Sequence, residues 1–76
     1  MSTKQTDFCL LGSGIWGTAL AMQITRALGD CTIFTKNPHT LYAINNHHIN
    51  KGVELPAKIK AEIDYSKLAE YQNIIL

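Results

Sequence analysis

At 76 residues, with 46% hydrophobic and 17% charged side chains, the chain is one small domain at most, or a piece of a larger one, and is too apolar for a disordered segment. A formal charge of +1 with no Lys/Arg block removes the electrostatic case for nucleic acid or an anionic membrane as the main partner. No apolar run approaches the ~18 residues of a membrane span, residues 1–7 carry no signal-peptide core, and Cys9 and Cys31 lie outside any CxxC pair, so a reduced, cytoplasmic chain is expected.

In chain order, Phe8-Cys9-Leu10-Leu11 is a short apolar run ending at Gly12, as in a strand buried on both faces. Over residues 17–28 the period changes. Leu20, Ile24 and Leu28 recur every four residues with Ala21 and Ala27 beside them, while Gln23, Thr25 and Arg26 take the other side. This predicts an amphipathic helix stopped by Gly29, with Arg26 favourably placed in its last turn. Residues 31–35 read as a second strand, rich in β-branched and aromatic side chains. Asn37-Pro38 marks a helix start, cap then first helical position, running to about His47. Residues 50–56 read as a loop, 59–63 as a short alternating strand, 66–70 as a turn of helix, and 73–76 as another buried strand. The rhythm predicts an α/β fold, the first half of a Rossmann-type parallel sheet in the order β-α-β-α-β with right-handed crossovers. Because the chain stops within an apolar strand, it is expected to be a partial dinucleotide-binding domain over 1–76, without a carboxy-terminal substrate domain and at best marginally stable alone.

Gly12-Ser13-Gly14-Ile15-Trp16-Gly17 matches GxGxxG. The glycines alone are weak evidence, but here they follow a predicted strand and open a predicted helix, the context that the phosphate-binding mechanism requires. Gly12 can turn the chain, Gly14 lets backbone approach a pyrophosphate, and Gly17 lets helix pack close to strand. The free N–H groups and dipole at the helix start then attract phosphate charge. An NAD-selective site usually places Asp or Glu about 20 residues past the loop for the ribose 2′-OH. Phe34, Thr35, Lys36 and Asn37 include no acid, and Asp30 lies at the wrong end of the strand. Lys36 offers a cation for a 2′-phosphate, or is a solvated lysine near a helix cap.

The string Gly12-Ser13-Gly14-Ile15-Trp16-Gly17-Thr18-Ala19-Leu20-Ala21 resembles the amino-terminal loop of bacterial NAD(P)-dependent glycerol-3-phosphate dehydrogenases, usually Gly-x-Gly-Ser-Trp-Gly-Thr-Ala-Leu-Ala. Lys36-Asn37-Pro38, then Ile44-Asn45 with His48 and Asn50, then Val53-Glu54-Leu55-Pro56 and Asn73-Ile74-Ile75-Leu76 follow the same family in order. Two departures stand out: Ile15 replaces the usual serine, and the family's Tyr-Leu-Pro after the Asn is missing, since only Lys51-Gly52 separates Asn50 from Val53. The resemblance implies a full-length parent that reduces dihydroxyacetone phosphate to sn-glycerol 3-phosphate with NAD(P)H, in phospholipid synthesis. It implies a small-molecule substrate and a possible homo-oligomer. The cofactor-binding residues implied are Gly12, Ser13, Gly14, Ile15, Trp16, Gly17, Lys36 and Asn37, with NADPH favoured by the missing acid. No residue here is expected to be catalytic, because the family's catalytic lysines and substrate-phosphate residues lie in later segments.

Trp16 has two readings, one beside the dinucleotide and one capping the core. Cys9 and Cys31 read as core residues. His39, His47 and His48 lack metal-site spacing and read as solvated, and Glu54, Glu62, Asp64 and Glu70 as surface acids. The alternatives are another oxidoreductase front end, of the ketopantoate reductase or 6-phosphogluconate dehydrogenase type, which the Trp16-Gly17-Thr18-Ala19 string disfavours, or a non-catalytic nucleotide-sensing module.

Overall fold

The computed structural model describes residues 8–75. The expectations for residues 1–7 and for Leu76 therefore lie outside the described residues. Strand β1 (Phe8–Leu11) leads through the glycine loop into helix α1 (Ile15–Leu28), then β2 (Cys31–Phe34). Helix α2 (Pro38–Tyr42) runs directly into a wider π-type turn, Ala43–His47. A small hairpin follows, β3 (Ile49–Asn50) and β4 (Val53–Glu54), and then β5 (Ile59–Glu62). A 3₁₀ segment, Tyr65–Glu70, crosses to β6 (Asn73–Ile75).

Four strands form one parallel sheet in the order β5-β2-β1-β6. With the hairpin set aside, this is third-second-first-fourth, the strand order of a Rossmann half-sheet, and the chain reverses direction across the sheet between β1 and β6. The register pairs Leu10 with Ile33, and Ile33 with Ala61, so their side chains share one face with Cys31 and Ile59. Together with Ala21, Ile44 and Leu55 these residues form the main core. On the opposite face Phe34 is fully buried and meets the rings of Tyr65 and Tyr71 edge-on, at 5.4 and 5.7 Å between centroids. The Tyr71 hydroxyl also donates to Thr32 Oγ1 at 3.0 Å, which ties the 3₁₀ segment across the sheet. Both cysteines are buried as expected, and desolvation pushes the Cys31 thiol up to about 12.

The structure corrects the expected packing of α1 in three respects. The helix begins at Ile15, two residues earlier than predicted. Its buried line is Thr18, Ala21 and Thr25, whereas Leu20 and Ile24 are only partly buried and Leu28 is exposed. Thr25 accordingly sits on the inner side rather than the solvent side. The reason is proximity: small side chains directly beneath the helix let it lie close to the strands, and the larger ones spread along its margins. Gly17 shows how close the approach is, since a Cβ there would stand 3.2 Å from the Gly12 carbonyl oxygen.

The expected loop at 50–56 is in part a hairpin. Asn50 pairs with Val53 across Lys51 and Gly52, both at positive φ (53° and 76°), which makes a two-residue turn of the primed type that suits strand twist. Asn45 handles the outer edge of the sheet. Its Nδ2 donates to the Ala61 carbonyl at 3.0 Å and its Oδ1 accepts the Ala61 N–H at 2.8 Å, so the carboxamide stands in for a further strand on β5.

Candidate functional site

The carboxyl ends of β1 and β2 lie side by side, because the strands are parallel and in register. The loops leaving them therefore meet at one edge of the sheet, where ligands bind in open α/β sheets. Gly12 makes the first turn. Its φ of +103° is a conformation that side chains disfavour, and its N–H donates to the Phe34 carbonyl at 2.9 Å, extending the β1–β2 ladder by one bond. Gly14 is the helix N-cap at φ −69° and ψ 179° and has no side chain to bond the first-turn N–H groups. A Cβ built on Gly14 meets nothing within 4 Å. The open space over Gly14, together with first-turn N–H groups that a helix cannot satisfy internally, suits an anionic group resting on the loop.

Three side chains hold this loop, and none of them is among the residues predicted for the site. Thr18 Oγ1 donates to the Gly14 carbonyl at 2.8 Å. Thr35 Oγ1 lies 3.3 Å from Ser13 Oγ and also accepts the Asn37 N–H at 3.1 Å, so the glycine loop and the loop after β2 are joined directly. Asn50, arriving from the hairpin, donates from Nδ2 to the Ser13 carbonyl at 2.8 Å and to Thr18 Oγ1 at 2.7 Å. Sequence spacing could have flagged Thr18, one residue past the last glycine. Nothing local could have flagged Asn50, which lies 37 residues from Ser13 in sequence.

The predicted residues fall into two groups. Gly12, Ser13, Gly14, Ile15, Trp16 and Gly17 form the loop and the first turn of α1. Ile15 and Trp16 are 72% and 79% exposed, so of the two readings of Trp16 the core-capping one is overturned. A helix start pressed against the sheet by Gly17 faces Thr18 inward and leaves the two preceding side chains in solvent. Lys36 and Asn37 lie on the neighbouring loop. Lys36 Nζ stands 5.7 Å from the centre of the Tyr65 ring, within cation–π range, and makes no ion pair among the described residues. The Asn37 side chain is committed locally: Oδ1 accepts the N–H groups of His39 (2.8 Å) and Thr40 (3.4 Å) as the cap of α2. Its contribution at the site is thus to fix the backbone next to Lys36.

The acids also find local work. Glu62 Oε2 accepts the N–H groups of Asp64 (2.9 Å) and Ile63 (3.0 Å), and Oε1 lies 3.5 Å from Lys67 Nζ. The Asp64 N–H first, then that of Ile63 and the lysine, hold the Glu62 carboxyl below its ordinary value. Asp64 caps the 3₁₀ segment through Ser66, whose hydroxyl and N–H keep that carboxyl low as well. His39, His47 and His48 do not converge, and among the described residues no group of three His, Cys, Asp or Glu side chains gathers. No helix among those residues is long and apolar enough to cross a membrane.

Strand order and glycine loop together define a Rossmann-type α/β chain with its loop at the carboxyl edge of β1. The model of the NAD-dependent glycerol-3-phosphate dehydrogenase N-terminus matches residues 7–76, and the chain belongs to that family. Among curated relatives, the chain is 31% identical over 71 residues to a glycerol-3-phosphate dehydrogenase (NAD(P)+) of Paramagnetospirillum magneticum, covering 88% of this chain and 26% of that protein. The enzyme of the same name from Orientia tsutsugamushi is 34% identical over 71 residues, covering 88% and 22%. That from Bacillus cytotoxicus is 39% identical over 69 residues, covering 86% and 19%. The chain thus spans about a quarter or less of the length of these relatives. No solved structure gives a significant match to it.

Proposed function

We propose that the chain is the dinucleotide-holding part of an NAD(P)-dependent dehydrogenase that reduces dihydroxyacetone phosphate to sn-glycerol 3-phosphate, a step that feeds phospholipid synthesis. The observation that carries this reading is the uncapped, open helix start at Gly14 at the carboxyl edge of a third-second-first-fourth parallel sheet. When bound, a reduced nicotinamide would supply the hydride to the carbonyl carbon of the substrate. The residues of this chain bind and orient. Gly12, its own N–H spent on the Phe34 carbonyl, turns the chain so that Ser13, Gly14, Ile15, Trp16 and Gly17 present backbone N–H groups to the pyrophosphate, and the exposed Trp16 lies against the dinucleotide. Thr35 and the Asn37 cap fix the loop carrying Lys36, whose ammonium meets the 2′-phosphate and favours NADPH over NADH. On this reading the described residues hold and orient the cofactor and take no part in the proton transfer that reduction of the carbonyl requires, so the chain binds without turnover.

Trp16 is the single tryptophan, so its emission reports on the loop without interference from another indole. Titration of the chain with NADPH should give a saturable quench of that emission, and mixing with NADPH and dihydroxyacetone phosphate should leave the NADPH absorbance unchanged. A chain that is folded but shows no response to either NADPH or NADH is a module of another kind, and steady NADPH consumption would move catalysis into these residues.

A further inference from the structure

We infer that Asn50 is the positioning residue of the glycine loop: its buried carboxamide holds the Ser13 carbonyl inward, and so aims the Gly14 N–H outward at the phosphate, and ties Thr18 at the helix start into the same network. The inference rests on the reading of the loop as the pyrophosphate site. In a trans peptide the carbonyl of one residue and the N–H of the next point to opposite sides of the chain, and no cis peptide occurs among the described residues. Holding the Ser13 carbonyl inward therefore turns the Gly14 N–H outward, and holding the Gly14 carbonyl inward does the same for the Ile15 N–H.

Asn50 holds the Ser13 carbonyl itself, while the Gly14 carbonyl accepts the Thr18 N–H at 2.9 Å as the first bond of the helix and is only reinforced from Asn50 through the Thr18 side chain. Nδ2 donates directly to Ser13 O at 2.8 Å and to Thr18 Oγ1 at 2.7 Å, and Thr18 passes its own proton to Gly14 O at 2.8 Å. The polarity of this chain is determined at each link. A carbonyl can only accept, so Thr18 must donate to Gly14, which leaves its oxygen to accept from Asn50, and both amide hydrogens of Asn50 are then spent on the loop. The network is buried, with Asn50 and Thr18 only 5% and 2% exposed, so water cannot substitute for it freely. Position is secured from the far side. Asn50 is the last residue before the two-residue turn, and the Leu55 N–H donates to the His48 carbonyl at 2.8 Å, closing the hairpin below it. The hairpin thus functions as a brace that delivers one carboxamide to the back of the loop. An aspartate of the same shape would set an acceptor against a carbonyl and a negative charge behind the phosphate.

The test compares NADPH, which carries the pyrophosphate, with 2′-AMP, which lacks it. Asn50→Asp in the 76-residue chain should weaken NADPH by tenfold or more, about the loss of one charge-assisted bond, while 2′-AMP affinity stays within about threefold, the scatter of a neutral change. Should Asn50→Asp not fold, Asn50→Ala removes the donor to the Ser13 carbonyl without adding a charge, and it should show the same selective loss of NADPH. A folded variant that binds NADPH like the parent, or that loses NADPH and 2′-AMP equally, overturns the positioning role, the second outcome marking a general packing role instead. If the parent chain binds 2′-AMP but gains nothing from the pyrophosphate of NADPH, the loop reading itself fails, and the role of Asn50 with it.

Discussion

Substituting Gly14 with valine should separate binding from folding more cleanly than any other change in the loop. Gly14 sits at φ −69° and ψ 179°, an extended conformation that a β-branched residue adopts readily, and a Cβ there has nothing within 4 Å. It already lacks a side-chain cap bond, so the folding cost is the small difference between glycine and an apolar residue at an N-cap, below about 1 kcal/mol. The cost to the ligand is much larger. A branched side chain over the open face keeps the phosphate from the first-turn N–H groups, and losing two charge-assisted bonds at about 1.5–3 kcal/mol each lowers affinity by more than a hundredfold. Gly12→Ala makes the contrast, because φ +103° strains any side chain and costs ~1–3 kcal/mol of stability before ligand is added. Thermal unfolding by circular dichroism, together with NADPH titration of Trp16 emission, reads both quantities. The reasoning is refuted if Gly14→Val is folded and titrates like the parent, or if it unfolds as readily as Gly12→Ala.

Lys36→Ala should weaken NADPH by roughly ten- to over a hundredfold and leave NADH nearly unchanged, since only the former carries a 2′-phosphate; equal losses in parallel titrations would instead assign Lys36 to packing against Tyr65. Asn45→Ala removes both bonds to Ala61 and bares the edge of β5, so stability should drop by about 1–3 kcal/mol in urea unfolding, with self-association visible by light scattering; an unchanged midpoint would show that the edge needs no cover. The Cys31 thiol, raised from 9.0 to about 12 by burial, stays neutral in the folded chain while the unfolded chain ionises it first. Its contribution to stability is therefore complete below pH 9 and is lost as pH rises toward 12, and Cys31→Ala should flatten that alkaline decline in unfolding curves taken across this range.

How much could be read from residues alone depends on the distance over which each feature is encoded. β1, β2 and β5 are marked by local runs, and Asn37-Pro38 by its cap chemistry, so they fall where expected. The inner face of α1 was misread because its apolar period follows Leu20, Ile24 and Leu28, whereas packing distance selects the small Thr18, Ala21 and Thr25. Burial of a threonine is decided by what lies opposite, which a helical period does not record. The hairpin was missed for a related reason: Lys51-Gly52 turns between Asn50 and Val53 with no alternating apolar flank to announce it. Gly12 and Gly17 were legible because one needs a positive φ and the other a close approach, and Gly14 because the spacing leaves room for a ligand above it. Their support was not, since Thr35 and Asn50 reach the loop across 22 and 37 residues.

The central claim is that backbone N–H groups at the start of α1 hold the pyrophosphate. Amide chemical shifts of the ¹⁵N-labelled chain during NADPH titration test it most directly. The account predicts that the largest shifts fall on Ser13, Gly14, Ile15 and Trp16, with a second group at Lys36 and Asn37 that is lost when NADH replaces NADPH. Saturable binding with those six amides unmoved, and the shifts gathered elsewhere on the sheet, would contradict it.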